Sequence, residues 1–478
     1  MKTFFNALTL NFIVILSIQA SLLEDLPEIN YESFKLDNGL TVIVHEDKKV
    51  PMVAVNIWYH VGSKNEKVGK TGFAHLFEHL MFNGTENYNN EYFEPFEKIG
   101  STDQNGTTNS DRTNYFQNVP TNALDLALWM ESDRMGHLLG VVDQEKLDEQ
   151  RGVVQNEKRQ GENQPYGKAF TRISEAAFPE GHPYSWSVIG SMEDLDAASL
   201  EDVQEWFKTY YGPNNAVLAL AGDIDLETAR EKVNKFFGDI PAGPPLVKPD
   251  IWIAKRNEEK RDVMFDNVPQ ARIYKAWNVP PRDTEAAAHF DLASSVLVGG
   301  KNSPLYKELV YDKQIATDVS AFYYDREIAG MFFLIVDVVA GEDPTDVENA
   351  MDEVMSSFIK RGPNAKLLKA EKTKALAGFI RGIQRIGGFG GKSDLLATCQ
   401  TYTGNPGCYK ENAKYLDEVT PAKMKATFAK WIDDTPYVLT ILPNKKLGVN
   451  DTGIDRSKGV PYPTEKVSFK FPSLQTAT

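Results

Sequence analysis

Two runs of fourteen residues constrain this fold more than anything else in the chain. VPMVAVNIWYHVGS begins at Val50 and VPQARIYKAWNVPP at Val268; both open on Val-Pro and carry a tryptophan near the end of an apolar stretch. Each run is followed by a helical pattern, residues 71–84 in one case and 284–300 in the other. Each half then shows an apolar strand before a long amphipathic helix: TNYFQNVP precedes ALDLALWMESDRMGHLL, and GMFFLIVDVV precedes DVENAMDEVMSSFI. Each half closes on one more strand, NAVLALAGD or PYVLTILPN. A repeat of roughly two hundred residues is a duplicated domain, because solenoid repeats run to only about 20–50. The length of 478 residues independently exceeds one ordinary hydrophobic core.

Strands and helices mix throughout, so the expected class is α+β: two homologous domains, each a mixed or antiparallel sheet packed against helices. Four prolines and two glycines between Gly238 and Pro249 suit an extended connection. The expected boundaries are 27–240 for the first domain, 241–257 for the linker and 258–472 for the second.

Residues 1–20 read as a signal peptide. Lys2 supplies a positive start, an apolar run spans Phe12 to Ile18, and Ala20 is a small residue suited to cleavage. A mitochondrial presequence would be rich in arginine, yet the first arginine is Arg112. No later segment is apolar enough to span a bilayer, so an exported chain, periplasmic or secreted, is expected. The net charge of -15 argues against nucleic acid as a partner, since phosphate binding needs basic patches. Cys399 and Cys408, close together, form either a local disulfide or two buried thiols.

The strongest chemical signal is His75-Leu76-Phe77-Glu78-His79. Four residues apart on a helix, the two imidazoles share a face and can bind one metal ion. Glu78 lies close to that face, where it can take a proton from an activated water. Phe73, Leu76, Phe77, Leu80, Met81 and Phe82 make the segment apolar almost all round, which implies burial. Buried histidines and a carboxylate are costly unless coordinated or hydrogen-bonded. A catalytic zinc needs a third protein ligand. The helix beginning near Asp143 is the best source: Leu147, Val153 and Val154 mark its expected buried face, and Glu157 follows them by helical spacing. Glu149, two turns earlier, is a candidate for supporting the ligands. Glu145 and Glu162 read as solvated charge.

His-x-x-Glu-His is the inverted zinc-peptidase motif. With the duplicated halves and with QRGVVQNEKR, LALWMESDRMG, FPEGHPYSWSVIG and WFKTYYGPNNAVLALAGDI, the chain resembles the pitrilysin family of metallopeptidases, also called inverzincins. It is most similar to the bacterial branch related to mitochondrial processing peptidase. The resemblance implies one zinc ion per chain on His75, His79 and Glu157, with Glu78 activating the water. It implies that the segment around Asn105, Gly106, Thr107 and Thr108 is an edge strand beside the metal, to which a peptide substrate adds as an extra strand; their residue types alone suggest a turn. It also implies a clam-like chamber made by two such chains, each one half of the clam.

Two departures follow from the same comparison. The family often has a glutamate seven residues before its third ligand; here Gln150 stands there, and its amide can still hydrogen-bond a ligand. Active members usually carry an arginine and a tyrosine, seven apart, in the second domain, and the matching positions here are Val310 and Thr317. Tyr311, Tyr323 and Tyr324 are nearby substitutes in another register. The expected protein is therefore a zinc endopeptidase or the metal-bearing subunit of one, paired with a homologous subunit that carries the arginine and tyrosine, or else a homodimer. The competing class is a non-catalytic peptide-binding or assembly subunit. The loop Gly387–Gly391 lacks the first glycine of a phosphate-binding loop and is expected to be a flexible loop lining the chamber, with no function assigned. His182 is expected to be structural.

Overall fold

The computed structural model describes residues 26–432 and 435–444. The expected signal peptide and the end of the second domain lie outside them. In the first half β1 (Glu32–Lys35), β2 (Thr41–Glu46), β3 (Met52–Tyr59), β4 (Thr102–Thr108), β5 (Thr113–Pro120) and β6 (Ala216–Gly222) form a sheet in the order β1-β2-β6-β3-β5-β4. In the second half β7 (Lys260–Asp266), β8 (Arg272–Val279), β9 (Ala316–Tyr324), β10 (Gly330–Val338) and β11 (Tyr437–Pro443) take the order β7-β11-β8-β10-β9. Without β1 the first order maps onto the second strand for strand. Even the single parallel pair recurs, as β2 with β6 and as β7 with β11. The duplication expected from the two fourteen-residue runs, which become β3 and β8, is thus a duplication of topology.

One face of each sheet packs on its own half's helices. Val53, Val55, Ile57 and Tyr59 alternate along β3 into the first core, and Leu334 and Val336 of β10 join the second. The opposite faces are covered by exchange. Helix Ala169–Ala177, from the first half, lays Ala169, Ile173 and Ala176 on Tyr274, Ala276 and Phe333 of the second sheet. Helix Lys392–Thr403, from the second half, lays Leu396 and Ala397 on Ile43, Trp58 and Ala219 of the first sheet. Cys399 and Cys408 are joined as a disulfide, with Cα atoms 5.3 Å apart, and pin that second helix to its neighbour. Residues 241–256 contain no helix or strand. No helix of the described residues is long and apolar enough to cross a membrane.

Candidate metal centre

The motif folds as the helix Phe73–Leu80. Nothing in its own sequence caps it: the residue before it is Gly72, with φ +84°, and a Cβ there would sit 2.5 Å from the Ile189 carbonyl oxygen. The cap comes from Glu66 instead. Its carboxylate accepts from Gly72 N at 3.1 Å and Ala74 N at 2.8 Å, two of the groups a helix start leaves unpaired. Burial pushes Glu66 up to about 8, against the pull of those same N–H groups. Phe73, Leu76, Phe77 and Leu80 are buried, which fixes the helix rotation and turns His75 and His79 toward a neighbouring helix.

That neighbour, Gln144–Glu162, starts on Asp143, whose side chain accepts from Lys146 N at 2.9 Å. Leu147 and Val154 are buried as expected. Val153 is not: it is 37% exposed, and it lies one turn before Glu157 on a strip that opens to solvent. The correction has a simple cause, since adjacent residues on a helix point about 100° apart and only one valine can face the core. Glu162, expected to be free in solvent, pairs with the buried Lys158 at 2.6 Å. Glu149 is exposed and Gln150 half-buried, and neither bonds to His75, His79 or Glu157.

His75, His79 and Glu157 converge, their ligand-type atoms lying within 4.8 Å of one another. Glu157 Oε2 stands 3.8 Å from His75 Nε2 and 3.6 Å from His79 Nε2. These gaps are too long for hydrogen bonds. Two donors sharing a tetrahedral zinc at about 2.0–2.1 Å would stand roughly 3.4 Å apart, so both Glu157–histidine gaps suit that ion. Burial, with His79 adjacent, pushes His75 down to about 4, which favours the neutral imidazole a metal requires. His75 Nδ1 is buried with no hydrogen-bond partner among the described residues. Burial lifts Glu78 up to about 7; the Thr108 hydroxyl and the Arg112 guanidinium pull it down, and Glu157 adds to the rise.

Asn105, Gly106 and Thr107 lie on β4, the last strand of its sheet, with β5 on one side and no strand on the other among the described residues. Gly106 permits this position: a Cβ would meet the Phe82 ring at 2.6 Å and Tyr115 at 3.0 Å. Arg112 joins the cluster although no motif marks it, and Thr108, expected on the edge strand, acts on Glu78 as well. Arg112 Nη1 donates to the Thr107 carbonyl at 2.9 Å and its guanidinium sits 4.8 Å over Trp58, so it ties β4 to the sheet. The signal available was an arginine among strand residues, in SDRTNY. His182 is fully buried and satisfied: Nδ1 accepts from Tyr184 N at 3.0 Å, and Nε2 meets the Trp252 carbonyl at 2.8 Å.

The structure brings neither Val310 nor Thr317 to this cluster. Val310 packs on the second core, and Thr317 Oγ1 accepts from Gln270 Nε2 at 2.6 Å. Tyr323 donates to the Pro280 carbonyl at 2.9 Å, Tyr324 lies beside Arg326, and Tyr311 is exposed.

Residues 41–189 match the family description "Insulinase (Peptidase family M16)", and residues 197–375 match "Peptidase M16 inactive domain". A zinc protease PqqE of Helicobacter pylori is 28% identical over 351 residues, covering 72% of this chain and 77% of that one. The β subunit of the mitochondrial processing peptidase of Saccharomyces cerevisiae is 25% identical over 365 residues, covering 72% and 76%. The crystal structure of a protease from Helicobacter pylori superposes with a TM-score of 0.79 at 24% identity, over 87% of this chain and 100% of that one. The first half of the periplasmic protease PqqL of Escherichia coli superposes at 0.67 and 18% identity, over 87% and 92%. Duplicated sheets, the inverted motif and both matched regions agree, and the chain belongs to the peptidase M16, or pitrilysin, family.

Proposed function

We propose that this chain is a zinc endopeptidase, or the metal-bearing subunit of one, with His75, His79 and Glu157 as ligands and Glu78 as general base. The observation that carries the reading is the convergence of two imidazoles and a carboxylate, with Glu78 on the same helix and a free strand edge beside it. A bound zinc ion would supply an acidified water and polarise the scissile carbonyl. Glu78 takes the water's proton and delivers it to the departing amine. β4 offers backbone N–H and C=O groups to an extended peptide, so Asn105 to Thr107 hold substrate by its main chain and read little sequence. We take residues 27–240 and 258–472 as the two homologous domains, joined by 241–257.

The half without ligands is the one that matches the inactive-domain description. With Val310 and Thr317 in place of the arginine and tyrosine of active relatives, a homologous partner subunit completes the site. One relative is itself named as a subunit. The disulfide and the PqqL likeness support an exported, periplasmic protein, released from a signal peptide at residues 1–20. Glu78→Gln tests the reading: it should keep stoichiometric zinc while peptide cleavage falls at least a hundredfold. Unchanged cleavage removes Glu78 from the mechanism. Full activity of the homogeneous chain removes the partner subunit.

A further inference from the structure

The glycine-rich segment Gly387–Gly391 carries one large apolar side chain, Phe389, and leaves it 51% exposed. The loop around it is firmly built. Arg385 Nη2 donates to the Phe389 carbonyl at 2.5 Å, Gly390 N donates to Asp394 Oδ2 at 2.9 Å, and Gly391 N to the Gly388 carbonyl at 3.1 Å. Gly388 and Gly390, on either side of the phenylalanine, have φ of +70° and +68°. Gly387 leaves no room for a side chain: a Cβ would stand 2.0 Å from Asn118 Oδ1 and 2.7 Å from Ala54 Cβ. Three glycines therefore press a second-half loop onto the first sheet. They set the Phe389 ring edge-on to Phe116, with centroids 5.0 Å apart.

Strand alternation tells which face this is. Gly106 and Thr108 of β4 turn toward the metal helix, one under Phe82 and the other beside Glu78. Phe116 is paired with Asn105, so these two share the opposite face. Gly388 adjoins the start of β4, since a Cβ on it would be 3.5 Å from Asp103 Cγ. Phe389 thus flanks the first residues of the edge strand, on the side away from the metal helix.

A peptide added to β4 alternates its own side chains between the same two faces. Resting on the edge-strand reading above, we propose that Phe389 forms a specificity subsite. It selects an apolar, preferentially aromatic, substrate side chain on the face turned away from the metal helix. The backbone edge of β4 gives binding without sequence; Phe389 adds a preference at alternate residues. An aromatic ring held half in water by three glycines and two side-chain anchors is suited to gain a partner, because an edge-to-face contact there also removes apolar surface from water.

The test measures binding, so that it does not depend on turnover. In full-length Glu78→Gln protein, fluorescein-labelled peptides are titrated by anisotropy, with phenylalanine replaced by alanine at each position in turn. At positions in one alternate register the replacement should weaken binding about tenfold. That ratio should fall to near one in the Phe389→Ala background and be partly restored by Phe389→Leu. Both variants should keep the parent unfolding midpoint, because the side chain is half exposed. A ratio unaffected by Phe389→Ala, a uniform loss for all peptides, or no peptide binding overturns the subsite. If the Phe389-dependent pattern appears while the protein with intact Glu78 binds no zinc, the peptidase reading fails and the subsite stands.

Discussion

Glu327→Gln is the perturbation whose size can be worked out most directly. The turn between β9 and β10 enters the first half, where Glu327 Oε2 accepts from Lys64 Nζ and stands 2.7 Å from His60 Nε2. Glu327 N donates to Asp111 Oδ2 at 3.0 Å, Asp111 Oδ1 accepts from the Tyr184 hydroxyl at 2.6 Å, and Ile328 N meets that same hydroxyl at 2.9 Å. The Lys64 side chain is only 2% exposed. Burial alone would raise the Glu327 carboxyl, but His60 and Lys64 outweigh it and hold it at about 2 instead of 4.5. At 1.36 kcal/mol per tenfold change in the proton equilibrium, the fall is worth about 3 kcal/mol. The folded value lies below the unfolded one, so this stability is fully present above about pH 5 and is lost as pH falls toward about 2. Glutamine keeps the shape and removes the charge. The assay is urea unfolding with chelator present, followed by tryptophan fluorescence at pH 7, 5, 4 and 3. The variant should be about 3 kcal/mol less stable at pH 7, and the gap should narrow below pH 5. A gap under about 1 kcal/mol at pH 7, or one constant from pH 5 to pH 3, refutes the charge as its source.

Glu157→Gln should weaken zinc more than about a hundredfold, beyond the effect usual for outer partners, as read by competition with a chromogenic chelator. Gly72→Ala combines a left-handed φ with a Cβ 2.5 Å from a carbonyl oxygen, and should cost about 1–3 kcal/mol in urea unfolding. Replacing both Cys399 and Cys408 by serine opens a short loop with a sequence separation of 9 and should cost about 2–3 kcal/mol. A midpoint unchanged from the oxidised protein would show that the exchanged helix is held by packing alone.

The duplication was legible because each half repeats the same apolar runs at the same spacing, and apolar runs are what a sheet buries. His75 and His79 were legible for a similar reason: two polar side chains in an apolar helix must have a partner. Glu157 followed from helical spacing, but Val153 did not, because periodicity locates a stripe to within about one residue and adjacent valines straddled its edge. β4 was hidden. Thr102–Thr108 reads TDQNGTT, with no apolar alternation, and becomes a strand only through its register with β5. Lys64 and Glu327 were hidden more deeply. Each looks like ordinary surface charge, and each is enclosed by a partner 263 residues away in sequence. Local patterns cannot carry such information.

The short stretch Ser63–Glu66 joins the second half to the helix that carries His75 and His79. Ser63 N and Lys64 N donate to the carbonyls of Asn109 and Ser110, which fixes the tip of the β4–β5 hairpin. The Lys64 side chain reaches Glu327 of the second half, and two residues later Glu66 caps the helix Phe73–Leu80. The edge strand, the helix of His75 and His79 and the second half are therefore all anchored to one short stretch. A displacement of the β9–β10 turn would reach the hairpin tip and the helix start together. Helix Lys392–Thr403 works in the same sense from the other face, because it seats the loop that holds Phe389 against β5. The exchanged helices make the halves mutually dependent for burial, and the Lys64–Glu327 pair sets their register. The second half thus forms part of the frame in which His75, His79 and Glu157 are aimed.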